Sequence, residues 1–189
     1  FQWLLEREHV DRNVFAGIRK ACANRVIRTR VLSDDEVKAI WHASTTEGRW
    51  GHWIKLLILT GCRNMEVRGA RWSEFDLDRS LWTIPAERSK NGRPHTIYLT
   101  SEMKAILKKI PKFKNVDLVF PAVGNACQPM SGDQKVKDRI DVLMRAALRK
   151  AGAKEPENWR VHDFRRTIAT GLQQLGFRPD IADQVIGHV

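Results

Sequence analysis

Val161-His162-Asp163-Phe164-Arg165-Arg166-Thr167-Ile168-Ala169-Thr170 is the stretch on which the reading of this chain turns. His162 and Arg165 stand three apart at the start of an expected helix over 162–175, so they share one face. Phe164, Ile168, Leu172 and Leu175 fall on another stripe and are expected to face the core. Far upstream, Thr60-Gly61-Cys62-Arg63-Asn64-Met65-Glu66-Val67 supplies a second arginine just past a helix-ending glycine, with Glu66 on the same helical face as Arg63. Each arginine presents a planar, permanently charged fork that fits phosphate oxygens bidentately. Two forks on one phosphate would stabilise the added negative charge of a pentacoordinate transition state. The pattern points to phosphoryl transfer on a nucleic acid rather than to binding alone. Taken singly, Arg63 and Glu66 read equally well as a surface ion pair, and a lone histidine is more often structural. Arg166 is the alternative to Arg165 and reads as a binder of backbone or of a nearby acid.

Outward from these segments the chain reads as mostly helical. Ser33-Asp34-Asp35-Glu36 is a capping box opening a helix whose face carries Val37, Ile40, Trp41 and Ser44. Further helices are expected at about 50–60, 64–70, 101–110, 133–151 and 180–186, the last opened by Pro179. In the long one, Val136, Ile140, Leu143, Ala147 and Leu148 keep the helical period. Leu81-Trp82-Thr83-Ile84 and His95-Thr96-Ile97-Tyr98-Leu99 alternate and flank the turn signature Lys90-Asn91-Gly92-Arg93, which predicts a hairpin. Tyr98, the one tyrosine of the sequence, is expected to pack within that sheet. The fold class is therefore α+β, mostly α-helical with a small antiparallel β-sheet.

Lys and Arg number 33 against 22 Asp and Glu, a net charge of +11, which is a footprint for a polyanion. The basic run holding Arg19, Lys20, Arg25, Arg28 and Arg30 reads as a linker that tracks phosphates, or as a solvated connector. Cys22, Cys62 and Cys127 show neither metal nor disulfide spacing, and a reducing cytoplasm suits them. The longest apolar run, Ile54–Leu59, is broken by Lys55 and is far too short to span a bilayer. The N-terminus reads as the tail of a helix over residues 1–9, not as a signal peptide, and begins in mid-pattern. The sequence shows no phosphate-binding glycine loop, H-E-x-x-H or carboxylate cluster, so no metal or nucleotide cofactor is expected.

These motifs resemble the catalytic domain of the tyrosine recombinase (phage integrase) family. The order R-x-x-E, hairpin lysine, H-x-x-R, G-H reads here as Arg63–Glu66, Lys90, His162–Arg165 and Gly187-His188, over nearly all of 32–189. The resemblance implies the DNA breaking-rejoining fold, with residues 1–30 as the end of a preceding helix plus basic linker and 31–189 as a catalytic domain lacking its C-terminal part. It assigns Arg63, Arg165 and His188 to the scissile phosphate, with Glu66 supporting. Lys90 becomes the general acid for the leaving 5′ oxygen, with Arg88 and Arg93 as competitors on the same hairpin. His162 is either a proton acceptor for the nucleophile or a hydrogen-bond donor to the phosphate. Arg28, Arg30, Arg88, Arg93 and Arg166 are expected to contact DNA. The family's nucleophilic tyrosine lies shortly beyond the second histidine, hence past Val189, and Tyr98 is not expected to replace it. The implied activity is site-specific recombination of double-stranded DNA through a 3′-phosphotyrosyl link, of phage or genomic-island type. It would be carried out by a homotetramer in the cytoplasm, without cofactor. The same residues would serve a type IB topoisomerase, and the fold alone would serve a non-catalytic DNA-binding regulator. A metal-independent ribonuclease is a third rival, distinguished by dependence on a 2′-hydroxyl.

Overall fold

The computed structural model describes residues 5–7, 9, 11 and 28–187. The expected basic run therefore lies outside the described residues except for Arg28 and Arg30, as do His188 and most of the expected N-terminal helix.

Helix α1 (Asp34–Ala43) begins where the sequence signals it. Ser33 Oγ accepts from the Glu36 N–H at 3.3 Å, Glu36 Oε2 accepts from the Ser33 N–H at 2.7 Å, and three acids in the first turn suit the helix dipole. A short 3-10 turn (Ser44–Thr46) leads into α2 (Gly48–Thr60). Trp53, Ile54, Leu56 and Leu57 of α2 are each no more than 2% exposed. A helix apolar on so many sides belongs at the centre of the fold, and α2 packs on α1, on α4 (Ser101–Lys109) and on α6 (Asp163–Gln174). Gly61 ends it in the left-handed conformation, φ 63°. The short α3 (Asn64–Arg68) follows at once.

Strands β1 (Phe75–Asp76), β2 (Leu81–Ile84) and β3 (His95–Tyr98) form an antiparallel sheet in that order, with Trp82 opposite Phe75 and Ile97. Trp82, Ile84 and Ile97 point inward while Thr83 and Thr96 face solvent, as alternation predicts. A second antiparallel pair, β4 (Pro121–Ala122) and β5 (Asn125–Pro129), was not expected. It is short, mostly exposed and bounded by prolines, so it carries no apolar alternation to betray it. The long α5 (Asp133–Lys150) packs along α1 through Val136, Ile140, Met144 and Leu148. Met144 occupies the place expected for Leu143, which is 43% exposed, because the buried row runs strictly at i, i+4. Helix α7 (Pro179–Val185) packs on α6.

Ala147, expected on the same stripe as Leu143, is likewise exposed, and two further expectations about side chains fail. Tyr98 closes β3 but lies on its outer face, 79% exposed, so it packs nothing. Leu175 is 77% exposed, lying just past the end of α6 in a run, residues 173–181, that all face solvent. The architecture is α+β, predominantly helical with small antiparallel sheets, around a core that includes Trp53, Trp82, Phe120 and Trp159. Among the described residues no helix is long and apolar enough to cross a membrane.

Candidate active site

The Gly61 turn organises the site. A Cβ at this position would stand 3.0 Å from Ile186 and 3.2 Å from Ile168, so a larger residue would make these side chains give way, and the left-handed φ of 63° favours glycine as well. The Gly61 carbonyl, pointing into this junction, accepts from Arg165 Nη1 at 3.1 Å. Two residues on, Arg63 begins α3. Glu66, 3% exposed, accepts from the Arg63 backbone N–H with one oxygen and from Arg63 Nη1 with the other, both at 2.8 Å. The carboxylate thus caps the helix and aims the guanidinium at once. Arg88 braces this unit, donating to the Glu66 carbonyl at 3.0 Å and to the Glu74 carboxylate at 2.6 and 3.0 Å.

Arg165 is 5% exposed. Its Nη1 donates to two carbonyls, those of Gly61 and Ile186, while its buried Nη2 has no partner among the described residues. Burial, and then the charge of Arg63, push its pKa down. A buried guanidinium N–H left open beside a second arginine is costly unless an anion completes it. Cys62, in the same turn, is no rival nucleophile: burial pushes its thiol up to about 12, so it stays protonated.

His162 precedes α6 and remains accessible. Partial burial, then Arg166 and Arg165, lower its pKa, so the imidazole is neutral at pH 7 and able to accept a proton. Beside it Asp163 is wholly buried. Its carboxylate accepts from Arg28 Nε and Nη2 at 3.1 and 2.9 Å, from the Arg160 N–H at 2.8 Å and from Arg166 Nη1 at 2.8 Å. Burial alone would raise this carboxyl's pKa, but the hydrogen bonds from Arg28 and Arg160 and the two arginine charges hold it below the usual value. Arg30 makes the equivalent contact with Glu36.

Lys90 and Arg93 are exposed on the hairpin between β2 and β3. Between them, Asn91 Oδ1 accepts from Arg63 Nη2 at 3.3 Å and its Nδ2 donates to the Gly187 carbonyl at 3.3 Å. His95 hydrogen-bonds the Val185 carbonyl at 3.2 Å through Nε2. Burial lowers its pKa, with Glu66 acting against this and Arg165 and Arg63 reinforcing it. The structure thus gathers Arg63, Glu66, Arg165 and the hairpin turn around one junction. Arg28, Arg30, Arg88 and Arg166 are each engaged with a carboxylate. The sequence reading missed three residues of this junction and its surroundings. Asp163 could have been suspected, as an acid set among Arg160, Arg165 and Arg166; Asn91 had been read only as a turn residue, and His95 gave no signal beyond strand alternation. Among the described residues no group of three or more His, Cys, Asp or Glu could hold a metal ion.

Two arginines distant in sequence, Arg63 and Arg165, thus act on each other's charge, and one of them keeps a buried N–H unpaired among the described residues, an arrangement suited to an anion. The model of the phage integrase family matches residues 30–189, and the chain belongs to that family. It is 33% identical to Prophage integrase IntA of Escherichia coli (strain K12) over 133 residues, covering 70% of this chain and 30% of that protein's length. It therefore spans well under two thirds of this relative. Among solved structures, XerA recombinase superposes with a TM-score of 0.60 at 20% identity, covering 99% of this chain and 64% of the other. A lambda integrase tetramer bound to a Holliday junction superposes with a TM-score of 0.59 at 20% identity, covering 100% of this chain and 55% of the other.

Proposed function

We propose that residues 31–189 form the catalytic domain of a site-specific DNA recombinase that cleaves and rejoins DNA through a 3′-phosphotyrosyl intermediate. The observation that carries this reading is the buried Nη2 of Arg165, which has no partner among the described residues and lies within the field of Arg63. A scissile phosphate placed there completes the hydrogen bonding of one arginine and meets the fork of the other, and both contacts strengthen as charge builds on its oxygens. Neutral His162 accepts the proton of the attacking tyrosine, which lies C-terminal to His188. Lys90 protonates the departing 5′ oxygen, and His188 adds a further donor to the phosphate. Phosphotyrosine conserves the bond energy, so a second 5′-hydroxyl reverses the step without a nucleotide cofactor. Arg93 and the +11 charge attract the DNA backbone. Arg28, Arg30, Arg88 and Arg166 act largely through the carboxylates that they hold. The assembly is a homotetramer on two duplexes, a reading supported by the lambda integrase tetramer bound to a Holliday junction; the absence of disulfide spacing among the cysteines suits the cytoplasm as its place.

Arg63→Ala and Arg165→Ala test this in the full-length protein. Each removes charge stabilisation of about 3–4 kcal/mol in the transition state, so single-turnover cleavage falls roughly 10²–10³-fold. DNA binding rests on many phosphate contacts and weakens only a few-fold, on the order of one contact among several. Equal losses in cleavage and binding would reduce both arginines to DNA anchors.

A further inference from the structure

The hairpin that carries Lys90 is fastened to the end of α7 at two points. Asn91 bridges Arg63 Nη2 and the Gly187 carbonyl. Four residues on, His95 reaches the Val185 carbonyl with Nε2 while the edge of its ring lies against Gly187. A Cβ at position 187 would come within 2.8 Å of His95 Nδ1, 3.0 Å of Cε1 and 3.1 Å of Cγ, and Gly187 itself sits at φ 68°. Ring and glycine are thus mutually fitted: the imidazole fills the space a side chain would take, and the left-handed backbone at residue 187 favours glycine there as well. On the far side of the same turn, the Ile186 carbonyl is held by Arg165. Three successive residues, Val185 to Gly187, therefore each give their carbonyl to a different member of the site.

We infer that His95 and Asn91 are positioning residues: they lock the Lys90 hairpin, the Arg63 fork and the Gly187 turn into one unit, so that Lys90 and Arg63 meet the same phosphate together. The inference rests on the proposed recombinase reading for its activity arm, but its structural arm stands without it. His95 acts through its contacts with Val185 and Gly187 rather than on a reacting atom. Its role is to donate one N–H to Val185 and to hold the turn by shape. A rigid unit matters because displacements on the order of 1 Å in a reacting group cost about 10²-fold in rate.

Three variants of the full-length protein test this: His95→Ala, His95→Gln and Gly187→Ala. A glutamine can place its amide N–H where Nε2 stands and so keep the bond to Val185. His95→Ala is expected to slow single-turnover cleavage about 10- to 100-fold with DNA affinity unchanged, while His95→Gln recovers most of the rate. Backbone amide hydrogen exchange over 184–187 is expected to rise in His95→Ala and not in His95→Gln. Gly187→Ala should slow cleavage in the wild-type background and do so less in the His95→Ala background, where the clash is gone. A wild-type cleavage rate in His95→Ala, or unchanged exchange over 184–187, overturns the proposal; so does a His95→Gln protein as slow as His95→Ala, which would make the imidazole a chemical participant. Failure of the recombinase reading looks different: wild-type protein then gives no cleavage at all, and the exchange measurement alone decides the lock.

Discussion

Asp163→Asn removes one charge while keeping the shape of the buried side chain, and its cost can be worked from the contacts. The wild-type carboxylate is wholly buried and receives hydrogen bonds from two guanidinium groups and one backbone N–H. An amide offers one oxygen to these donors and turns an NH2 group against the others. Breaking a buried ion pair from one side costs about 3–5 kcal/mol. Arg28 and Arg166 keep 28% and 33% of their side-chain surface exposed, so they can rehydrate in part. That relief brings the expected loss to about 3 kcal/mol, or about 6–12 °C in Tm for a domain of this size. The sign with pH follows from linkage. The folded-state pKa of Asp163 lies below its ordinary value, so its stabilisation is fully present above the unfolded value of about 3.9 and disappears as pH falls through the folded one. The wild-type advantage over Asp163→Asn should be greatest at neutral pH and should shrink below pH about 4. Urea unfolding across that range measures it. A loss under about 1 kcal/mol, or a difference that does not move with pH, would refute the argument that Asp163 is an ionised clamp between residue 28 and the helix bearing Arg165.

Lys90→Ala should cleave ordinary DNA poorly and a substrate with sulfur in place of the bridging 5′ oxygen at close to the wild-type rate, because that leaving group departs unprotonated; absence of rescue passes the proton to His162 or Arg93. Gly61→Ala forces a β-carbon into the left-handed region and to within 3.0 Å of Ile186, so it should destabilise by at least about 1–2 kcal/mol in thermal unfolding and lower cleavage by moving the carbonyl that holds Arg165. An alanine variant of wild-type stability would show that the Gly61 turn is not strained in this way.

Local signals told the truth where they carried their own chemistry. Ser33 and Glu36 cap α1 as written, Gly61 stops α2, and alternation at 81–84 and 95–98 gives the paired strands. Arg63 and Arg165 could be paired from the sequence only through the resemblance to the phage integrase family. The contact that ties Arg165 to the turn preceding Arg63, the Gly61 carbonyl, is backbone and leaves no trace in side-chain identity. Burial was harder to read than secondary structure. Leu143 and Leu175 satisfy the helical period, but whether a stripe is covered depends on which element lies across it, and that is decided by tertiary packing. Tyr98 illustrates the same limit: an aromatic residue in a strand usually packs, but this strand shows one face to solvent. Asn91 and His95 gain their roles from α7, which is distant in sequence, and so their partners could not be inferred from the hairpin itself.

Identifying the nucleophile tests the account most directly. The full-length protein is incubated with a nicked suicide DNA, resolved by denaturing electrophoresis, and the DNA-linked peptide is mapped by mass spectrometry. The account predicts a covalent adduct through a tyrosine C-terminal to His188, retained in Tyr98→Phe and lost in Arg165→Ala. Tyr98 stands on the opposite face of β3 from His95, whose side chain turns to the site, and so cannot serve. No adduct from the wild-type protein, or one that vanishes in Tyr98→Phe with Tyr98 in the linked peptide, would contradict it.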